Sequence, residues 1–265
     1  MLALLATAAF GARPTDRSGV APRQAALGRG VQPQPRPRPL RPYRRRVPIL
    51  MYHLVSAAPP SSPNPALYVR PRMFAAQMRW LRRHRFHAVT LARVVAAWHA
   101  RARLPRRPVV LSFDDGYAGD YRTVLPLLRR WRWPGVLNLT QSSFGSHGGL
   151  TRPQVRRLLA AGWELGAHTI SHIDLTTVHG RRLRREIDGC RRLFQLEFGV
   201  PVTDFAYPSG RYDRQVLRAV RAAGYRAAVT TTFGLGSRRH PLTLRRLRVD
   251  QADGMAGFAD LLHSR

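Results

Sequence analysis

Short apolar runs alternate with amphipathic stretches along the chain from residue 47 onwards. The apolar runs are rich in Val, Ile and Leu, which is typical of buried β-strands. The amphipathic stretches repeat apolar residues at helical spacing, as Phe74, Met78 and Leu81 do. The predicted strands are 47–55, 107–113, 134–140, 163–168, 203–208, 225–231 and 244–249. The predicted helices are 71–84, 121–131, 151–161, 183–198, 214–223 and 255–262, and residues 89–99 are predicted to pass from the end of a strand into a helix.

Residues with strong preferences for helix ends support these boundaries. Pro71 suits the first position of a helix, and Thr151 can cap a helix that has Pro153 in its first turn. Gly162 and Gly224 stand where helices would end. Because strands and helices alternate with short connections, the sequence predicts an α/β fold. Its sheet should be mostly parallel and either open or closed into a barrel.

The first 46 residues differ in composition from the rest of the chain. A short apolar run over residues 2–12 is followed by a stretch rich in Pro and Arg, which favours extended, unpaired backbone. We therefore predict a signal-like apolar segment and a disordered basic arm over residues 1–46, and one domain over residues 47–265. The apolar run has the length of a signal-peptide core but lacks the basic region that precedes one. Two interpretations of this segment stay open: a true secretion signal, and a frayed N-terminal segment without a function.

The net charge of +31 at pH 7 is the most unusual feature of the composition. All 45 cationic side chains are arginines, which suggests the codon bias of a GC-rich genome as well as selection for charge. Such basicity is common in nucleic-acid binders, but no recognised nucleic-acid-binding module is present. Hydrophobic residues make up 44% of the chain, enough for a core, and no apolar stretch is long enough to span a membrane.

The one cysteine narrows the chemistry further. Cys190 alone excludes a disulfide within the chain, a cysteine-based zinc site and a Cys-x-x-Cys redox motif. It lies within a helical pattern, so we predict that it is buried and inert.

Three polar clusters follow predicted strands directly. They are the Asp114-Asp115-Gly116 turn, the pair His168 and His172, and the segment Tyr207–Gly210. Since ligands bind at the carboxyl ends of strands in α/β folds, we expect the clusters to meet at one rim. The alternatives are an ordinary turn for the aspartates and one face of a surface helix for the histidines.

The first two clusters together have the composition of a catalytic metal site. Two histidines four residues apart can reach one ion, and a carboxylate beside them completes a set that leaves open positions on Zn²⁺ or a similar ion. Adjacent aspartates allow a division of roles. One can bind the metal while the other accepts a proton from water that the metal has made more acidic.

Four segments, taken together and in this order, resemble the polysaccharide deacetylase family (NodB homology domain, carbohydrate esterase family 4). They are MYH at 51–53, LSFDDGY at 111–117, AHTISH at 167–172 and FAYPSGRYD at 205–213. The resemblance covers about residues 47–250 and implies a distorted (β/α) barrel. It also implies a metal-dependent hydrolase that removes N-acetyl, and sometimes O-acetyl, groups from polymers of amino sugars. Zinc is the first choice of metal, with cobalt or another divalent ion as alternatives.

The resemblance also assigns roles to individual residues. Asp114 is implied as the catalytic base, and the backbone N–H of Ser209 as a donor to the oxyanion of the transition state. The implied metal ligands are Asp115, His168 and His172. The residues expected to line the substrate groove are His53, Tyr117, Tyr207 and Pro208.

Two departures from the family pattern require other candidates. The family often has an arginine that holds the base carboxylate where this chain has Ala206. Arg246 on the last predicted strand is our first candidate to replace it and Arg248 the second, although both could equally be surface arginines in so basic a chain. The family's C-terminal Leu-x-x-His motif, whose histidine is the general acid, has only His263 as a weak counterpart, so the general acid stays unassigned.

The sequence therefore predicts a deacetylase that acts on an acetylated glycan such as peptidoglycan, poly-N-acetylglucosamine or a chitin-like polymer. The alternatives are a small-molecule amidohydrolase of the same fold and a non-catalytic basic protein that binds cell-wall polyanions. We expect an extracellular or cell-wall location, with a cytoplasmic one as the alternative. The arginines are expected to associate electrostatically with anionic wall polymers, without specific nucleic-acid binding.

Overall fold

The computed structural model describes residues 40–263, except the side chains of Gln251 and His263. The strands are β1 Ile49–Tyr52, β2 His87–Ala88, β3 Pro108–Asp115, β4 Val136–Leu139, β5 Glu164–Ala167, β6 Asp204–Ala206, β7 Ala227–Phe233 and β8 Leu244–Arg248. The helices are α1 Pro71–Arg83, α2 Leu91–Trp98, α3 Leu125–Arg129, α4 Arg152–Ala160, α5 Gly180–Arg184, α6 Cys190–Phe198, α7 Arg214–Ala222 and α8 Gly254–His263.

Seven of these strands form a closed parallel barrel. The order around it is β1-β8-β7-β6-β5-β4-β3, and the ring closes because β1 pairs with both β8 and β3. The short strand β2 pairs with β3 outside the ring. The predicted distorted (β/α) barrel is therefore confirmed, and the carboxyl ends of its strands form one rim.

Local sequence explains where the helices begin. Pro71 is the first residue of α1, Thr90 caps α2 by accepting a hydrogen bond from Arg93 N, and Asp213 caps α7. Thr151 and Gln154 cap the start of α4 reciprocally.

Two predicted helices contain a widened π-helical turn that the sequence pattern did not indicate. One turn, Asp120–Val124, leads into α3, and the other, Arg185–Gly189, joins α5 to α6. Such a turn holds one more residue than an α-helical turn, so it changes the direction in which its side chains point.

The barrel interior changes character along its axis. Near the base it is filled by small and branched apolar side chains that alternate along the strands; these are Ile49, Val110, Val136, Ala206, Val229 and Leu244. Helix α2 packs its apolar residues against this layer, and Glu164 at the start of β5 accepts hydrogen bonds from Ala92 N in the first turn of that helix. Two to four residues further along the same faces, the side chains are polar and buried; these are Ser112, Asp114, Asn138 and Arg246. The base is therefore mainly apolar, and the chemistry is placed towards the rim.

The chain packs on the barrel before the predicted domain boundary. Tyr43 N donates to the carbonyl of Ala97 over 2.9 Å, and Val47 exchanges two backbone hydrogen bonds with Gly236. Residues 1–39 lie outside the described residues. Cys190 is fully buried, as predicted. Within the described range, no helix combines the length and apolarity that crossing a membrane requires.

Candidate active site

The carboxylate of Asp114 is buried inside the barrel near the end of β3 and is held by three hydrogen bonds. Arg246 of β8 donates two of them in parallel, from Nη1 to Oδ1 over 2.8 Å and from Nη2 to Oδ2 over 2.7 Å. Asn138 of β4 donates the third over 2.8 Å. Arg246 is itself fixed, because it also donates to Ser112 Oγ and to the carbonyl of Thr230. The carboxylate therefore has one orientation.

Close packing of the strands makes room for this arrangement. Asp114 lies opposite Asn138 in the sheet, and Asn138 lies opposite Gly166. A Cβ atom at Gly166 would stand 2.5 Å from Asn138 Oδ1, so a larger residue there would displace the amide that donates to Asp114.

Two opposing effects set the pKa of Asp114. Burial alone would raise this pKa, because a buried charge is unfavourable. The positive charge and hydrogen bonds of Arg246 outweigh burial and hold the pKa of Asp114 well below its usual range. The carboxylate is consequently ionised at neutral pH. The structure thus places Arg246, and not Arg248, against the predicted base, which resolves the choice that the sequence left open.

Asp115, His168 and His172 come together directly beside this carboxylate. Asp115 Oδ1 lies 3.5 Å from the Nε2 atom of each histidine, and one ligand atom from each of the three residues lies within 4.8 Å of the others. His168 is buried, whereas the side chain of His172 is 41% exposed and faces the rim. Burial, followed by the neighbouring His168, lowers the pKa of His172 and favours its neutral form.

This cluster fits a divalent ion in both spacing and protonation. Ligand atoms bound at 2.0–2.2 Å to a tetrahedral ion lie about 3.3–3.6 Å from one another, which matches the 3.5 Å between Asp115 Oδ1 and the Nε2 atom of each histidine. The Nδ1 atom of His168 lies 2.8 Å from the carbonyl of Ala206, which can only accept a hydrogen bond. Nδ1 must therefore carry the proton, and the lone pair of Nε2 is free to bind a metal.

The third predicted cluster is divided between the interior and the rim. Tyr207 and Pro208 are buried, and the hydroxyl of Tyr207 donates to the carbonyl of Leu242 over 3.0 Å. This burial differs from the substrate contact predicted for the two residues. Tyr212, which stacks on Tyr207 with ring centroids 4.9 Å apart, is exposed in their place.

Ser209, the predicted oxyanion donor, lies at the surface of this cluster. It adopts a left-handed backbone conformation with φ 52°, in a single 3-10 turn that begins at Pro208. The next residue, Gly210, is also left-handed, and a Cβ atom there would stand 2.6 Å from Thr231 N. Only glycine fits this close approach of two backbones, so the turn is fixed against β7.

The remaining predicted groove residues, Tyr117 and His53, flank the two aspartates. The side chain of Tyr117 is half-buried; burial, the charge of Asp115 and a hydrogen bond to that carboxylate raise its pKa. His53 follows β1, and its Nε2 atom lies 3.9 Å from Asp114 Oδ2. Burial lowers the pKa of His53, although the carboxylates of Asp114 and Asp115 oppose this effect. The side chain of His263 lies outside the described residues.

Three acidic or amide residues near the site were not predicted from the sequence. Asn138 interrupts the apolar pattern of β4, a signal that could have identified it. Asp120 begins the first π-helical turn and is fully buried, without a hydrogen-bond partner for either carboxylate oxygen among the described residues. Burial and the charges of Asp115 and Asp114 raise the pKa of Asp120 and favour its neutral form. The third, Glu186, lies in the second π-helical turn.

Comparisons with known proteins agree with this fold and point to one family of enzymes. A family model described as polysaccharide deacetylase matches residues 101–228. A putative polysaccharide deacetylase of Bacillus subtilis, YxkH, is 29% identical over 215 residues, which are 81% of this chain and 74% of that protein. A poly-β-1,6-N-acetyl-D-glucosamine N-deacetylase of Escherichia coli is 38% identical over 68 residues, but these are only 26% of this chain and 10% of the larger protein.

A solved structure supports the same fold. The deacetylase PplD of Streptococcus pyogenes, in complex with acetate, superposes with a TM-score of 0.78 at 24% identity, over 83% of this chain and all of that one. The barrel and the residues at its rim define a hydrolase that removes acetyl groups from carbohydrate. The chain is thus similar in sequence and in fold to the polysaccharide deacetylase family, carbohydrate esterase family 4.

Proposed function

We propose that the protein removes N-acetyl groups from an amino-sugar polymer by metal-assisted amide hydrolysis. The observation that carries this proposal is the position of Asp114, which is ionised and rigidly oriented directly beside the cluster of Asp115, His168 and His172. A base next to a set of metal ligands is the arrangement that activation of water requires. The candidate polymers are peptidoglycan, poly-N-acetylglucosamine and chitin-like glycans.

In this mechanism, Asp115, His168 and His172 hold a divalent ion, with zinc as first choice. The ion would polarise the acetyl carbonyl and make water in the site more acidic. Asp114 accepts the proton of the attacking water, and Arg246 and Asn138 keep the carboxylate aimed at it.

The chain's own groups then stabilise the products of attack. The N–H of Ser209 donates to the oxyanion that develops on the substrate carbonyl. The leaving amine must gain a proton as the C–N bond breaks. Asp114 carries one after the first step, and His53, 3.9 Å from it, is a candidate to pass that proton on.

Removal of metal is the direct test of this function. The purified chain is treated with a chelator and assayed before and after addition of zinc or cobalt. The assays measure acetate release from N-acetylglucosamine oligomers and peptidoglycan fragments, and ring opening of a small cyclic amide. We expect release from a glycan to stop on chelation and to return with one of the metals. Ring opening of the cyclic amide without acetate release from any glycan would favour a small-molecule amidohydrolase. Activity that survives chelation would contradict the proposed mechanism.

We also propose that the enzyme acts outside the cell or within the wall, where such polymers lie. Its charge of +31 would support screened contacts with anionic wall polymers. The segment 1–46 carries ten arginines and one acidic residue, Asp16, so its charge per residue is higher than the average of the rest of the chain.

Deletion of residues 1–39 tests this association. The deletion spares residues from Tyr43 onwards, which pack on the barrel. We expect the shortened chain to bind purified cell walls several-fold more weakly at low salt, because fewer charges contact the polymer. High salt should remove the difference, and turnover of short oligomers should not change. Equal wall binding by both chains in a low-salt sedimentation assay would rule out a role for the arm.

A further inference from the structure

Glu186 connects the second π-helical turn to the segment that carries the histidines. Its carboxylate is buried and accepts three hydrogen bonds from two consecutive residues between His168 and His172. Oε2 accepts from Ile170 N over 2.9 Å and from Ser171 N over 3.0 Å, and Oε1 accepts from Ser171 Oγ over 2.5 Å. The backbone of the segment is also held where Gln141 N and Ser142 N donate to the carbonyls of Thr169 and Ile170. Within residues 40–263, no other side chain makes as many hydrogen bonds to the segment, so Glu186 is its main side-chain anchor.

The segment needs an anchor because its backbone is strained. Thr169 and His172 have φ angles of 69° and 53°, in the left-handed region that non-glycine residues rarely adopt. Each such residue costs about 1–3 kcal/mol unless its surroundings hold it. Thr169 is β-branched, which makes this conformation less favourable still. A hydrogen bond from His172 N to Thr169 Oγ1 fixes the turn internally, but it does not attach the turn to the rest of the fold.

The side chain of His172 gains little support from packing. It is 41% exposed, whereas His168 is buried and fixed through Nδ1. The position of the His172 imidazole therefore depends on the backbone of residues 169–172. Since Glu186 holds that backbone through Ile170 and Ser171, it controls where the imidazole stands relative to Asp115.

A carboxylate suits this role better than its amide counterpart. All three groups that face Glu186 are donors, and an ionised carboxylate only accepts, so each contact is a charge-assisted hydrogen bond. Glutamine would replace these contacts by weaker neutral hydrogen bonds, and its NH₂ group could be accommodated only opposite Ser171 Oγ, the one partner that can also accept. The π-helical turn Arg185–Gly189 directs the side chain of Glu186 towards the histidine segment, because a widened turn displaces side chains from their α-helical positions.

We propose that Glu186 is a positioning residue of the metal site, which keeps His172 Nε2 within reach of the ion that Asp115 and His168 bind, and that it thereby sets metal affinity. This inference rests on the proposed function in one respect, namely that the cluster binds a divalent ion. Replacing a residue that orients a metal ligand without binding the ion itself typically lowers metal affinity or activity about 10- to 100-fold.

The test measures zinc affinity directly, by competition with a chromophoric chelator, in the metal-stripped full chain. Glu186→Gln is compared with Asp188→Asn, which removes an acid from the same π-helical turn. Asp188 is partly exposed and pairs with Arg192 over 2.6 Å, away from the histidine segment. We expect Glu186→Gln to weaken zinc binding about 10- to 100-fold and Asp188→Asn to leave it within about twofold. At saturating zinc, Glu186→Gln should recover most of its turnover, since the groups that touch substrate are intact.

Two further variants keep the test decisive if Glu186→Gln fails to fold. Ser171→Ala removes one of the three hydrogen bonds and should weaken zinc binding several-fold. Glu186→Asp keeps the charge on a shorter side chain and should bind zinc with an affinity between those of Glu186→Gln and the unaltered protein. Zinc binding by folded Glu186→Gln, or by Ser171→Ala, that equals that of the unaltered protein would overturn the proposal. If the unaltered protein binds no divalent metal, the proposed metal-dependent function fails as well, so the two failures can be told apart.

Discussion

Replacing Asp114 by asparagine is expected to reduce the rate of acetate release by about a hundred- to ten-thousand-fold, the usual contribution of a general base. The amide has almost the same shape as the carboxylate, but it cannot accept the proton of the attacking water. It also leaves the buried Arg246 without its counter-charge, so the free energy of unfolding should fall by roughly 3–5 kcal/mol.

The pH dependence of stability separates these two effects. A carboxylate whose pKa is lowered by folding contributes stability above its unfolded pKa, and that contribution is lost as the pH falls towards the folded pKa. The difference in stability between the unaltered protein and Asp114→Asn should therefore be full at neutral pH and shrink under strongly acidic conditions.

Denaturant titrations over a series of pH values would measure this difference, with Asp188→Asn as the control for loss of a partly exposed acid. Acetate release from folded Asp114→Asn at an unchanged rate would show that another residue is the base.

Replacing Arg246 by methionine is expected to destabilise the protein by about 3–5 kcal/mol and to reduce turnover strongly. The substitution leaves Asp114 ionisable and buried with only the amide of Asn138 as a donor. Burial would then dominate, the pKa of Asp114 would rise, and the carboxylate would lose the orientation that two parallel hydrogen bonds impose. Lysine should not restore activity, since an ammonium group cannot reproduce this paired geometry.

Arg248 provides the matched control, because it lies two residues further along the same strand and the sequence offers it as the alternative partner. We expect Arg248→Met to change the free energy of unfolding by about 0.5 kcal/mol or less.

A double-mutant cycle with Asp114→Asn completes the measurement. The two substitutions at Asp114 and Arg246 should cost far less together than the sum of their separate costs, since each removes the partner that the other leaves unpaired. Additive costs would mean that the pair is not energetically coupled.

The alternation of apolar and polar residues was sufficient to predict an α/β fold with a mostly parallel sheet and to bring three clusters to one rim. That the sheet closes into a barrel was implied by the resemblance to the family. The strand and helix pattern specifies parallel connections, and parallel strands end on the same side. For that reason Asp114, Asp115, His168 and His172 could be placed together without knowledge of their contacts. The resemblance to the family supplied their roles, which spacing alone leaves open.

The sequence could not decide between Arg246 and Arg248, and the reason is geometric. Both have the parity that points into the barrel, so side-chain alternation cannot separate them. What separates them is depth along the barrel axis, which depends on the register of β8 against β1, where Leu50 pairs with Leu247.

Glu186 was missed for a related reason. It lies fourteen residues beyond His172, in a turn whose widening no sequence pattern reveals.

The two π-helical turns have a consequence for how related sequences should be aligned. Each of the turns Asp120–Val124 and Arg185–Gly189 accommodates one residue more than a regular α-helix of the same length would. The helical segments before and after each turn each keep the regular helical spacing of their buried residues. A relative that lacks the extra residue should therefore show a gap of one position there, with its core residues in register on both sides. Such a single-residue gap would indicate that the helical turn beside the site differs between two relatives, even where their residues at the rim are identical.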